Sequence, residues 1–186
     1  MIIGLQRNKV ELSPHNPEWS TLAAQTVKQL QGIFGSVAKD IQHVGSTSIK
    51  NIQAKPIIDI AVAIEDFAKV EALVSKLESN GFIQRCWPFS NHMLFSAGIN
   101  IGAEDSIKTH NIHIAKAGST SWYNFINFRD YLNANPSVAK IYESIKLNLA
   151  SANPYDEGRA QYLAGKNDFI IQTLHNAKKY FNLEEK

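Results

Sequence analysis

Apolar residues recur at helical spacing between Pro17 and Phe34, where Trp19, Leu22, Ala23, Val27, Leu30 and Phe34 share one side. The spacing predicts a helix over 17–34, stopped by Gly35. Val10-Glu11-Leu12 reads as the end of a strand, and 37–44 as a strand that stops at Gly45. The clearest strand is Ala54 to Ile64, β-branched and opened by Pro56. Asp66 then caps a helix over 67–79, with Gly81 as its stop. Segments 82–87, 91–96 and 110–115 are further strands, and 97–109 is a loop or irregular hairpin. From Thr120 the pattern turns helical, with helices over 121–132, 136–149 and 154–180, the last bent at Gly158 and Gly165. Asn16-Pro17, Asn135-Pro136 and Asn153-Pro154 each precede a helical pattern. Asn caps the free N–H groups of a first turn, and Pro lacks the donor that would be unpaired there. The layout is an α/β (α+β) fold, a mixed sheet flanked by helices with a C-terminal helical part. It is read as one domain, 1–186, divided into a sheet-bearing 1–118 and a helical 119–186.

Composition narrows the function classes. Of 186 residues, 44% are hydrophobic and 19% charged, which excludes a largely disordered chain. The formal net charge is +2, too weak a field to draw in nucleic acid or an anionic membrane. A local phosphate site needs only a few cations. The single cysteine, Cys86, excludes an intrachain disulfide and a multi-cysteine zinc cage, and it reads as an inert buried thiol. There is no long apolar leader and no window of membrane-spanning length, so a cytoplasmic protein without a membrane partner is expected.

The candidate chemistry starts at the central strand. Ile58, Ile60, Val62 and Ile64 form its core face, and Ile57, Asp59, Ala61 and Ala63 the other. A carboxylate beside two alanines on such a strand needs a cation or donors. It either caps a loop or pairs structurally with Lys55 or Arg129, or belongs to a site. Upstream, His43-Val44-Gly45-Ser46-Thr47-Ser48 ends a strand in a glycine followed by three hydroxyls. That arrangement can cradle phosphate oxygens. By alternation Asn111 and His113 share a strand face, whereas His110 and His113 point to opposite faces. Trp87-Pro88-Phe89 is either core or a wall on which a ring could stack.

His-Val-Gly-Ser-Thr-Ser followed by Ala-Lys-Pro-Ile-Ile-Asp-Ile resembles the GrpB family, within the nucleotidyltransferase superfamily of polymerase-beta-type fold. Asn111-Ile112-His113-Ile114, Phe128-Arg129-Asp130-Tyr131-Leu132 and the pairs Tyr142…Lys146 and Tyr162…Lys166 carry the same resemblance across nearly the whole chain. The resemblance implies the fold and a ligand pocket. It implies phosphate or ligand binding by His43, Gly45, Ser46, Thr47, Lys55, Arg129, Lys146, Tyr162 and Lys166, with Asp59 and His113 as catalytic residues. Asp59 is then the candidate ligand for Mg2+. The superfamily pattern has two acids at alternate strand positions and a third on a neighbouring strand, which together hold two magnesium ions. This chain departs from it with Ala61 at the second position and Asn111 or His113 around the third.

Two functions follow as expectations. One is a nucleotidyltransferase-fold protein that binds a nucleotide or other phosphorylated small molecule and transfers a nucleotidyl group. The other is a non-catalytic binding or assisting module with a degenerate active site, a reading to which fusions of the family with dephospho-coenzyme A kinases also point. A polynucleotide substrate is disfavoured by the low net charge.

Overall fold

The computed structural model describes residues 3–85 and 92–183. The strands are β1 (Leu5–Gln6), β2 (Ala38–Val44), β3 (Ile58–Ile64), β4 (Ile83–Arg85), β5 (His92–Ile99) and β6 (Ile107–Lys116). The helices are α1 (Glu18–Phe34), α2 (Phe67–Glu71), α3 (Val74–Ser79), α4 (Thr120–Ala134), α5 (Pro136–Ala152), α6 (Ala160–Gly165) and α7 (Asn167–Tyr180). The sheet runs β2-β3-β6-β5-β4, with β1 beside the start of β6. Every pairing is antiparallel except β3 with β6, which is parallel and sets Asp59 opposite Asn111 and Ala61 opposite His113.

The alternation along β3 sorts its side chains as the pattern predicts. Ile58, Ile60, Val62 and Ile64 are buried against Trp19, Ala23, Leu30, Ile33 and Phe34 of α1 and Leu77 of α3. On the other face, Ala61, Ala63 and Ala115 pack under Trp122, Phe125 and Ile126 of α4. Small residues on that face let α4 lie close to the sheet beside the Asp59 row. A third cluster joins the segment after β2 (Ile49, Ile52) to Tyr131 and Leu132 of α4, Ala139 and Tyr142 of α5 and Ala177 of α7.

Several boundaries differ from the sequence reading, each for a local reason. Residues 10–12 form no strand; Val10 instead donates its N–H to the Pro154 carbonyl, and the edge pairing falls to β1. The strand expected from Ala54 begins at Ile58, and Ala54 makes an isolated bridge to Ser13. The helix after Asp66 is split at Ala72-Leu73 into α2 and α3, with Asp66 capping the Ala68 N–H as predicted. The 97–109 stretch is a hairpin, since β5 runs on to Ile99 and β6 starts at Ile107. The long helix expected over 154–180 is broken. Gly158 and Arg159 both adopt left-handed backbone (φ 62° and 60°), so a 3-10 turn precedes α6, and Lys166 separates α6 from α7. Gly165 marks a close helix approach, where a Cβ would lie 3.1 Å from Leu149 Cδ1 on α5.

Of the three Asn-Pro pairs, Asn16 alone caps as expected, accepting the Glu18 N–H at 2.9 Å. Asn135 reaches back to the Tyr131 carbonyl, and Pro154 starts no helix. Cys86, the Trp87-Pro88-Phe89 wall and the strand ends at 86–91 lie outside the described residues.

Ile60 is fully buried at the centre of the α1 face. Ile60→Ala is expected to cost about 2–5 kcal/mol in urea unfolding, as large-to-small core substitutions do.

Candidate functional site

β2 ends at Val44 and the chain turns through Gly45 into a 3-10 turn, Ser46–Ser48. Gly45 has φ 70° and ψ −171°, a conformation that side chains resist. Space demands glycine as well: a Cβ there would lie 2.8 Å from Asp59 Cβ, and closer still to its carboxylate. The turn therefore lies directly against Asp59. Three residues per turn point the three hydroxyls in different directions. Ser46 faces the cavity, Thr47 is buried and meets His43 Nε2 at 2.9 Å, and Ser48 Oγ donates to the Gly45 carbonyl.

Asp59 Oδ1 accepts from Asn111 Nδ2 at 2.9 Å and lies 3.4 Å from His113 Nε2. Burial acts to raise the Asp59 pKa, but the bonds from His113 and Asn111 and the Lys166 charge outweigh it, so the carboxyl sits below its ordinary value. Beyond it, the His113 ring packs on Phe125 at 4.9 Å and on His92 at 5.5 Å between centroids. Burial pushes His92 down to about 4, with His113 adding to the effect.

These groups line a cavity of about 710 Å³ between the sheet and helices α4 to α7. Three cations reach it: Lys55 from the segment before β3, Arg159 from the broken turn, and Lys166 between α6 and α7. Lys55 Nζ stands 4.2 Å from the Tyr162 ring centroid and Lys166 Nζ 5.3 Å. One buried aromatic ring thus holds two like charges. Burial lowers the pKa of both lysines; their mutual repulsion lowers Lys55 further, while Asp59 opposes the shift in both. Arg159 is anchored by two backbone carbonyls of the N-terminal segment, Nε donating to the Lys9 carbonyl and Nη2 to the Gln6 carbonyl, both at 3.0 Å.

Magnesium takes hard oxygen ligands, carboxylates above all. Among the described residues, Asp59 is the one carboxylate on the cavity wall. The position two residues on is Ala61, fully buried under α4, and the β6 positions are the amide and imidazole that bind Asp59. Among the described residues no group of three or more His, Cys, Asp or Glu could hold a metal ion. These residues do not fit a two-magnesium centre, which needs several carboxylate oxygens.

A profile described as GrpB protein matches residues 9–176. The Glutamate-rich protein GrpB of Alkalihalophilus pseudofirmus is 37% identical over 177 residues, which span 94% of this chain and 99% of that one. The chain belongs to the GrpB family. The crystal structure of conserved protein GrpB from Enterococcus faecalis superposes with a TM-score of 0.81 at 29% identity, covering 92% of this chain and 99% of that one. The Cid1 poly(U) polymerase aligns with a TM-score of 0.52 at 9% identity, over 74% of this chain and 44% of that one. That likeness shows a nucleotidyltransferase-like fold alone. Among the described residues no helix is long and apolar enough to cross a membrane.

Set on the GrpB fold, the residues expected at the site divide in two. Gly45, Ser46, Lys55, Asp59, His113, Tyr162 and Lys166 converge on the cavity. His43, Thr47, Arg129 and Lys146 lie outside its lining. The His43 ring is spent on Thr47, and burial, reinforced by Arg129 and His110, pushes it down to about 4 although Asp59 opposes the shift. Arg129 binds Gln42 Oε1, the His43 carbonyl and Asp130, so it ties α4 to β2. Lys146 is fully buried; it donates to the Gln53 carbonyl and sits 4.6 Å from the Tyr142 ring centroid. Burial and Lys166 push it down to about 7, Glu143 notwithstanding. Its contact with Gln53 holds the segment that carries Lys55. Asp59 pairs structurally with neither Lys55 nor Arg129 at salt-bridge distance among the described residues.

Arg159, His92, Asn124 and Tyr142 line the cavity without having been singled out as site residues. The signal for Arg159 was Asp156-Glu157-Gly158-Arg159, an acid-rich turn with glycine in which a cation stands where a helix would otherwise continue.

Gly45→Ala is expected to lose about 1–3 kcal/mol from the backbone conformation alone, and more from the clash with Asp59. Thermal unfolding of the variant measures the sum.

Proposed function

We propose that the cavity binds a phosphorylated small molecule, a nucleotide among the candidates. The observation that supports this is the convergence of Lys55, Lys166 and Arg159 on a cavity whose lining holds one carboxylate. Buried like charges are costly unless an anion joins them. The two lysines also have lowered pKa values, as expected of a cation site without its counter-charge.

In this reading Lys55, Lys166 and Arg159 neutralise phosphate, and Ser46 donates its hydroxyl to a phosphate oxygen. Asp59, oriented by Asn111 and His113 and kept ionised, accepts from a ligand hydroxyl beside the Gly45 turn. The donor set supports binding over metal-assisted nucleotidyl transfer.

Two measurements test the reading. Lys166→Met removes a desolvated charge while keeping the stem. It is expected to raise the melting temperature of the ligand-free protein slightly and to abolish stabilisation by phosphorylated ligands. For the native protein, a ligand at one hundred times its Kd stabilises by about 2.7 kcal/mol, which a thermal shift detects. Unchanged ligand stabilisation in Lys166→Met would remove that residue from the site.

The second measurement is the pH dependence of Kd. Lys55 and Lys166 start with lowered pKa values, and a bound anion raises them, so binding takes up protons. Affinity is expected to improve as the phosphate loses its second proton near ~6 and to weaken again as the lysines deprotonate at higher pH. Calorimetry in buffers of different ionisation heat should show net proton uptake above neutral pH.

A further inference from the structure

The lining of the cavity is uneven along its length. Lys166 at the N-cap of α7, and Ile170 and Leu174 on α7 itself, all line it and follow one another at four-residue spacing. At 1.5 Å per residue the wall passes from a cation to apolar side chains about 6 and 12 Å further along. The facing helix α4 contributes Phe125 and Phe128, and α5 contributes Tyr142, which stacks on Phe169 at 5.2 Å with planes 9° apart. Phe128 meets Tyr142 edge-on at 5.3 Å. The apolar part is therefore a packed aromatic wall.

Charge sets a second limit. Three cations face one carboxylate, an excess of two positive charges. A phosphate monoester carries about −1.5 to −2 near neutral pH. A triphosphate carries roughly twice that, and the described residues do not fit the two-metal centre that would share its charge.

We propose that this cavity selects a phosphate monoester with a flat or apolar body, bound without a divalent metal and in preference to the corresponding triphosphate. The phosphate sits among Lys55, Lys166 and Arg159, and the body lies along α7 between Ile170, Leu174 and the aromatic wall. The proposal rests on the phosphate-binding reading above and narrows it to a class.

Calorimetry tests it with 1-naphthyl phosphate, 1-naphthol, inorganic phosphate, adenosine 5′-monophosphate and adenosine 5′-triphosphate, each in EDTA and in magnesium. The expected result is that the two monoesters bind equally well in EDTA and in magnesium. Naphthyl phosphate should bind at least about tenfold more tightly than naphthol or inorganic phosphate. The triphosphate in EDTA should bind at least about tenfold more weakly than the monophosphate, the factor set by one poorly compensated buried charge. Ile170→Gln should weaken naphthyl phosphate while leaving inorganic phosphate unchanged. Circular dichroism and the melting temperature confirm that this variant folds.

Equal or tighter triphosphate binding in EDTA overturns the charge selection, and a magnesium requirement for the monoesters overturns metal-free binding. Inorganic phosphate bound as tightly as the esters overturns the apolar-body assignment. All three leave phosphate binding standing. Failure of every phosphorylated probe, with or without magnesium, overturns the phosphate-binding reading itself.

Discussion

The parallel pairing of β3 with β6 is the constraint on which the site depends. It joins two strands far apart in sequence and sets Asp59 beside Asn111 and Ala61 beside His113. A slip of one residue would turn each isoleucine of β3 away from α1 and bury the carboxylate in the core. The hydrophobic contacts with α1 therefore hold the register, and the register holds the polar row. Because the core face is uniformly branched and apolar, the other face is free to carry chemistry without weakening the fold.

On that face the molecule trades carboxylates for amide, imidazole and small side chains. Asn111 and His113 direct their donors into the one acid, and Ala61 lets α4 settle on the sheet. The positive charges then come from the opposite side, from the segment before β3 and the helices after α5. Tyr162 organises them by presenting one ring to two ammonium groups. The electrostatic sign of the site is thus inverted relative to a two-metal centre.

Much of this was legible in the chain. Strict alternation placed Asp59 on the face away from α1, and glycine before hydroxyls marked the tight turn at Gly45. Local pattern could not show which way a helical cation points. Arg129 and Lys146 sit on α4 and α5, and tertiary structure turns them toward Gln42, His43 and Gln53 and outside the cavity lining. Arg159 is illegible in the sequence for a related reason. Helical spacing on both sides concealed two consecutive left-handed residues, and the carbonyls that fix its guanidinium come from the opposite end of the sequence.

That last arrangement bears on how the chain assembles. The contacts of Arg159 with Gln6 and Lys9 close loops of 153 and 150 residues, among the longest separations available to a chain of this length. Closing such loops is entropically unfavourable until most other contacts exist, and long-range contacts of this kind slow folding. The sheet, with Asp59 already in register, can form before the guanidinium is fixed. Completion of the cavity thus draws on both ends of the chain: the sheet supplies the floor of the pocket, and two of its three cations come from segments after α5.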